Sequence, residues 1–417
     1  MEQVRGKVFI NPEWRTCVLG TRGRRGIWPL ILLSTLALVP QGAAELGPMG
    51  MVKLYYLGDC LPSTSPILYM ADDPAIDIVA VPATVYQSYF TKKEVQKALR
   101  LYLPKTYQQL AEGSVILLSD VRADTLSPRW LEWFSRAVDE DGLGLMMIGG
   151  ILSFGGYADS PTWRTTTIGP LLPVEPIDGE VKSYSWKPVV KAPDDQLMTA
   201  LPWKSCPHFS GYNKVTLKDG ALLLAETSGS DANPFMAFWK VGRGAGFAFC
   251  TDWTPAWGEA FMRWDYYPDF TVYSVYYAAG RKVPQDLGLM HLISSARITY
   301  RTERDILVSL INLIDRLGGN VRRLEEMISD ADAIRKRAGR DYLLQDYAEC
   351  AKDLQMARDK LKEINQEAAK VRARAFLWIW LIEWLAVSAT LMITGLVVWN
   401  VMIKRRLYRE VTTTRMT

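Results

Sequence analysis

From Trp384 to Ile403 the chain carries no charged side chain. A helix crosses the hydrocarbon layer of a bilayer in roughly 20 residues at about 1.5 Å each. Such a helix also satisfies its own backbone hydrogen bonds where no water is present. The apolar stretch opens earlier, at Ala375, and holds Glu383 among Trp378, Trp380 and Trp384. Those aromatics suit the headgroup boundary. Lys404, Arg405, Arg406 and Arg409 follow at once. The positive-inside rule therefore puts residues 404–417 in the cytoplasm and residues 375–403 across the membrane. Lys370, Arg372 and Arg374 reduce the asymmetry.

A shorter apolar run, Ile27–Val39, follows Arg22, Arg24 and Arg25 and precedes Gly42-Ala43-Ala44. A basic lead, an apolar middle and small residues at a cleavage site are the parts of a secretory signal peptide. Residues 1–44 read as that peptide or as an uncleaved signal anchor. The cleaved peptide agrees with a single-pass cell-membrane protein whose globular part lies outside the cytoplasm.

That globular part occupies residues 51–283. Val52–Leu57, Ile76–Val81, Ser114–Leu118 and Leu143–Ile148 are short apolar runs that read as strands. Between them, Thr91–Leu110 and Ser127–Asp139 read as helices, the second with Trp130, Leu131, Phe134 and Val138 on one face. Strands alternating with helices predict an α/β fold, a parallel sheet flanked by helices. Ala221–Ala225, Pro234–Trp239 and Ala245–Cys250 add strands, with Gly242-Arg243-Gly244 as a hairpin turn, and Asp269–Ala279 closes the domain as a helix. Ligands in such folds bind beyond the carboxyl ends of the strands. The residues there are Asp59, Cys60, Pro82, Asp120, Gly149 to Ser153, Asp252 and Trp253. Ordinary connecting loops satisfy the same pattern.

Composition narrows the chemistry. A net charge of +4 on 417 residues implies no general nucleic-acid affinity. Two His leave little for histidine-based catalysis or a metal site, and no pair of the five Cys has zinc-type spacing. Neither a metal nor a cofactor is expected. Cys206 and Cys250 form a disulfide in an exported domain or stay separate buried thiols, a choice that depends on geometry.

Three segments carry a family resemblance: IGGILSFGGYADSPTWRTTTIGPLLPVEP at Ile148–Pro176, LPWKSCPHFSGYNKVTLK at Leu201–Lys218, and KVGRGAGFAFCTDWTPAWGEAFMRW at Lys240–Trp264. Together they resemble the putative glutamine amidotransferase domain family, a branch of the class I glutamine amidotransferase-like (flavodoxin-like) fold. The likeness covers about Met51 to Gly280. It implies a Cys nucleophile on the elbow after the central strand and a His and Glu after a late strand, the thiolate attacking the glutamine amide. Here the elbow reads Ile151, Leu152, Ser153, and the late strand is followed by Thr251, Asp252, Trp253. Both the Cys and the His are missing, so the reading leans away from an enzyme.

What the resemblance leaves is a binding surface around Asp120, Gly149, Gly150, Ser153, Phe154, Gly155, Gly156, Tyr157, Asp252, Trp253 and Trp257. A catalytic alternative is a hydrolase of altered chemistry. It would use Ser153, which has no His in the matching region, or Cys60, whose neighbouring carboxylates disfavour a thiolate. Cys206 and His208 lack two further metal ligands. The aromatics Trp253, Trp257, Phe261, Trp264, Tyr266 and Tyr267 either stack on a ligand or partner, or seal the sheet edge.

Residues 284–301 read as a connector and residues 302–374 as a helical coiled-coil stalk. Tyr347, Cys350, Leu354, Ala357, Leu361, Ile364, Ala368, Val371 and Ala375 step by three and four, as a heptad seam does. A second seam runs Leu310, Ile314, Leu317, Val321, Leu324, Ile328, Ala331, interrupted by Gly318-Gly319, and Gly339 separates the two stretches. The two make either a parallel oligomeric coiled coil or an antiparallel hairpin turning near Ala338–Arg340. The stalk is thus expected to bind a second copy or another membrane protein. A third reading is a purely structural surface protein that assembles through this stalk.

Overall fold

The computed structural model describes residues 50–84 and 90–413. The expected signal segment, residues 1–44, lies outside the described residues. The first half of the domain runs β1 (Val52–Gly58), α1 (Ile67–Asp72), β2 (Ile76–Pro82), α2 (Lys92–Tyr102), α3 (Tyr107–Ala111), β3 (Val115–Ser119), α4 (Pro128–Asp139) and β4 (Gly144–Ile148). The second half adds β5 (Val174–Lys182), β6 (Pro188–Val190), α5 (Gln196–Thr199), β7 (Tyr212–Leu217), β8 (Leu222–Thr227), β9 (Pro234–Val241), β10 (Gly244–Phe249), α6 (Pro255–Met262) and α7 (Tyr267–Ala278). Three long helices follow: α8 (Leu287–Arg316), α9 (Arg322–Leu343) and α10 (Tyr347–Thr413).

The main sheet has the order β2-β1-β3-β4-β10-β9-β8-β6. Its first five strands are parallel, and β9, β8 and β6 continue it antiparallel. β5 and β7 form a separate antiparallel ribbon. Alternate residues of each strand face opposite sides. On β1, Leu54 and Tyr56 join one core with Met146, Ile148, Phe249 and α7, while Tyr55 and Leu57 join the other with Phe134, Leu145 and Met147. The sheet is therefore mostly parallel and covered on both faces.

Two expectations about the globular domain change. Thr91–Leu110 is two helices, because Pro104 disfavours helical geometry at Leu103, where α2 ends. Cys206 and Cys250 are free thiols rather than a disulfide. They sit in the cores on opposite faces of the sheet, so β-strand backbone lies between them. The seam Leu310–Ala331 breaks at Gly318-Gly319 as expected: α8 stops at Arg316, Gly318 takes a left-handed φ of 76°, and α9 starts at Arg322.

The long helices pack within one chain, α8 and α9 both lying against α10. Cys350, Leu354, Ala357, Leu361, Ile364 and Ala368 are buried there. α8 contributes Tyr300, Leu307, Ile311 and Ile314, and α9 contributes Leu324, Met327, Ile328 and Ala331. The α9–α10 turn falls at Leu344–Asp346 rather than Ala338–Arg340. Gly339 stays inside α9, and Gln345 adopts a left-handed φ of 63°.

A buried carboxylate joins these helices to the domain. Asp73, just after α1, accepts hydrogen bonds from Tyr276 of α7 and Tyr342 of α9, each at 2.5 Å, and from the amide of Ala75 at 2.8 Å. The Arg297 guanidinium of α8 lies 3.7 Å from it. Removing one member of a buried charged network leaves the other uncompensated and costs about 3–5 kcal/mol. Asp73→Ala is expected to destabilise the full-length protein by that order, read as a lowered urea midpoint, with Asp73→Asn falling in between.

Candidate functional site

The parallel strands follow the order β2-β1-β3-β4-β10, which reverses direction between β1 and β3. Chains leaving those two strands diverge there, and their carboxyl ends are where ligands bind in such folds. Asp59 and Cys60 follow β1, Asp120 follows β3, Gly149 follows β4 and Asp252 follows β10. The fold brings these expected residues together.

The elbow after β4 is held by hydrogen bonds from distant strands. The Gly149 amide donates to Phe249 O at 2.7 Å. Asn213 of β7 clamps Gly150, its Oδ1 accepting from Gly150 N at 3.1 Å and its Nδ2 donating to Gly150 O at 2.9 Å. Gly150 has φ 146°, and a Cβ there would lie 2.2 Å from the Asp120 carboxyl carbon. Only glycine fits that approach. Phe154 also sits at a left-handed φ of 51°, a strained state for a bulky residue. Burial of its ring and the bond from Trp163 N to Phe154 O at 2.7 Å hold it.

Several expected site residues face inward. The Ser153 hydroxyl donates to Ile148 O at 2.7 Å and is buried. Trp253 is fully buried, with its indole N–H donating to Ser119 Oγ at 2.9 Å and its carbonyl accepting from the Tyr267 hydroxyl at 2.9 Å. Trp257 packs its ring on Gly211, where a Cβ would lie 2.6 Å away. Phe261, Trp264 and Tyr267 are buried beside it, in ring contacts of 5.3–5.6 Å from Phe261. Of the two readings of the aromatic group, these residues fill the core under the sheet end. Gly155 and Gly156 press against the backbone of Ile177 and Ser160, and Tyr157 alone is half exposed.

The polar floor is acidic. Asp59 accepts from Leu61 N at 3.0 Å and from the Thr64 hydroxyl at 2.5 Å. Asp120 accepts from Leu152 N at 2.7 Å. Asp252 accepts from Thr254 N at 2.8 Å and from its hydroxyl at 2.5 Å. Burial raises the Asp120 pKa well above the usual carboxylate range, and Asp252 adds to the rise. Burial likewise pushes Asp252 up to about 6, partly opposed by the Thr254 bonds and reinforced by Asp59. Burial and Asp59 also push the Cys60 thiol up, so it stays protonated at neutral pH. Cys206 is buried and His208 exposed, so that pair does not converge. Among the described residues, no three His, Cys, Asp or Glu side chains group closely enough to hold a metal ion.

Asn213, Ser119 and Thr84 escaped the sequence reading. Thr84 donates to Asp120 O at 3.0 Å. Asn213 had one sequence signal, a polar residue between the apolar positions of Tyr212–Leu217, but its partner lies 63 residues away.

This strand order, with a glycine elbow after β4, defines a class I glutamine amidotransferase-like α/β domain. Residues 77–276 match the model of the putative glutamine amidotransferase family. Two solved structures are similar. The cytoplasmic protein STM1381 from Salmonella typhimurium LT2 is 24% identical, with a TM-score of 0.45 over 54% of this chain and 99% of its own. The cytoplasmic protein STM3548 from Salmonella typhimurium is 20% identical, with a TM-score of 0.45 over 55% of this chain and 99% of its own. No curated protein matches the chain.

Two outcomes test this geometry. Asn213→Ala orphans the buried N–H and C=O of Gly150 and is expected to cost about 3 kcal/mol, at 1–3 kcal/mol per unsatisfied group, read by urea denaturation. A carboxyl whose folded pKa lies above its unfolded value of about 3.9 holds its proton more tightly when folded. Asp252 thus favours folding at low pH, and that contribution is lost as pH rises from about 4 to about 6. Asp252→Asn is expected to flatten the pH dependence of stability across that window.

Proposed function

We propose that this protein is a membrane-tethered, non-catalytic amidotransferase-like module that binds a ligand or partner protein at the crevice formed by β1, β3, β4 and β10. The observation that carries the proposal is the elbow. It keeps its strained glycine geometry, yet its one hydroxyl, on Ser153, is buried and donates to Ile148 O. Two half-measures of catalysis are also opposed: the Cys60 thiol is held protonated, and both His residues, 208 and 291, are exposed and belong to other parts of the chain. The acids Asp59, Asp120 and Asp252 suit a ligand that presents hydroxyl, amide or cationic groups.

The reading includes one span, Ala375–Ile403, within a helix that is long and apolar enough to cross a membrane. The domain is placed outside the cytoplasm and residues 404–417 inside, on the charge argument from the sequence. Partner contact through residues 302–374 falls to the outer faces of the long helices, because both heptad seams are filled within the chain.

The full-length protein in detergent is expected to release no ammonia from glutamine above background. Its Cys60 is expected to react with a neutral-pH thiol reagent more slowly than free cysteine. Glutamine or ester hydrolysis lost in Cys60→Ala or Ser153→Ala replaces the binding reading with a catalytic one.

A further inference from the structure

We propose that the α8–α9 turn and the start of the membrane helix together form a basic collar that binds the headgroups of anionic phospholipids. The proposal rests on the reading that residues 375–403 span a bilayer. Along the sequence, only Lys370, Arg372 and Arg374 precede that segment closely. The fold adds a second set from about fifty residues upstream.

Two observations place the turn. A Cβ on Gly319 would lie 3.5 Å from Val371 Cγ1, only four residues before Ala375. Ile314 and Leu324, on either side of the turn, pack in the same core as Ile364 and Ala368 of α10. Glu367 then reports the charges around it: Lys370 chiefly, then Arg323 and Arg374, hold its carboxyl below the usual range. An arginine of α9 and an arginine of α10 thus act on one carboxylate at the membrane end of the bundle. At 1.5 Å per residue, Tyr347–Val371 puts the other end, where α9 meets the domain, about 36 Å away.

The collar holds Arg316, Arg322, Arg323, Lys370, Arg372 and Arg374, all exposed. Arg322 pairs with Glu326 and Lys370 with Glu367. Asp315 and Glu325 are the other acids at this level, so the cations stay in excess. Arginine matches phosphate oxygens with a planar fork of donors. Leu317 and Val321 bracket Gly318-Gly319-Asn320 and are half-buried, Val321 against the bundle core. A basic cluster at a bilayer surface is attracted to anionic lipid, and salt screens the attraction.

The test uses the full-length chain in phosphatidylcholine vesicles containing trace spin-labelled phosphatidylglycerol or spin-labelled phosphatidylcholine. The fraction of motionally restricted label gives the preference for the anionic lipid. The expected result is a clear preference in the wild type that about 1 M salt removes. Arg316→Gln/Arg323→Gln is expected to lower it about fivefold or more. Lys336→Gln/Arg340→Gln, the same charge change at the far end of the bundle, is expected to leave it unchanged. A wild type without preference, or a collar variant that keeps the wild-type value, overturns the collar alone. Failure of the protein to co-float with vesicles overturns the membrane reading and the collar with it.

Discussion

The Asp73 carboxylate makes the domain and the long helices one body. It sits in the loop between α1 and β2, at the amino-terminal end of the sheet, and takes hydroxyl protons from α7 and α9 while facing an arginine from α8. A buried carboxylate with three directional donors tolerates little displacement of any of them. The neighbouring Asp72–Arg301 pair, at 2.7 Å, extends the same joint toward solvent. The crevice lies at the opposite, carboxyl-terminal end of the strands. α8 also reaches the start of α7, where His291 lies 3.5 Å from Asp269.

The elbow shows how hydrogen bonds from distant parts of the chain hold a strained turn. The turn survives because its backbone is over-determined: Asn213 holds Gly150, Asp120 holds Leu152, and Ser160 donates to Leu152 O at 3.1 Å. The raised pKa values of Asp120 and Asp252 follow from the same enclosure, since burial disfavours the charged form and each carboxylate disfavours ionisation of its neighbour.

The sequence was legible where structure is local. β1 to β4 and β10 are apolar runs of strand length between turn residues, and the structure reproduces them within a residue or two. β5 was hidden because Val174–Lys182 carries Pro176, Gly179 and three acids, the composition of a loop, and pairs only with β7 at its ends and across a register shift. The break at Leu103 was underweighted against a long amphipathic pattern, and Gly339 was overweighted. A mid-helix glycine costs only about 1 kcal/mol, and packing against α10 supplies more than that. The crevice was legible as strand ends. Its state was not, because the inward turn of Ser153 and the burial of Trp253 depend on Ser119, Asn213 and Tyr267, none adjacent in the chain.

The heptad seams illustrate a wider ambiguity. A three-four spacing states that a helix has one buried face; it does not state whose side chains bury it. Here α10 finds its partners in α8 and α9. Arg337 fixes the register by gripping both oxygens of Asp353, a carboxylate with no solvent exposure whose pKa is held down chiefly by that bond. Arg304 does the same between α8 and α9 through Asp332, at 2.8 Å. Sliding the Arg337–Asp353 pair by one helical turn would strand the buried Asp353 carboxylate, so the register is fixed by electrostatics as well as by shape. Because α10 runs unbroken from Tyr347 to Thr413, that register carries through to the apolar segment. The domain's height and rotation relative to that segment are therefore set by side chains within the bundle.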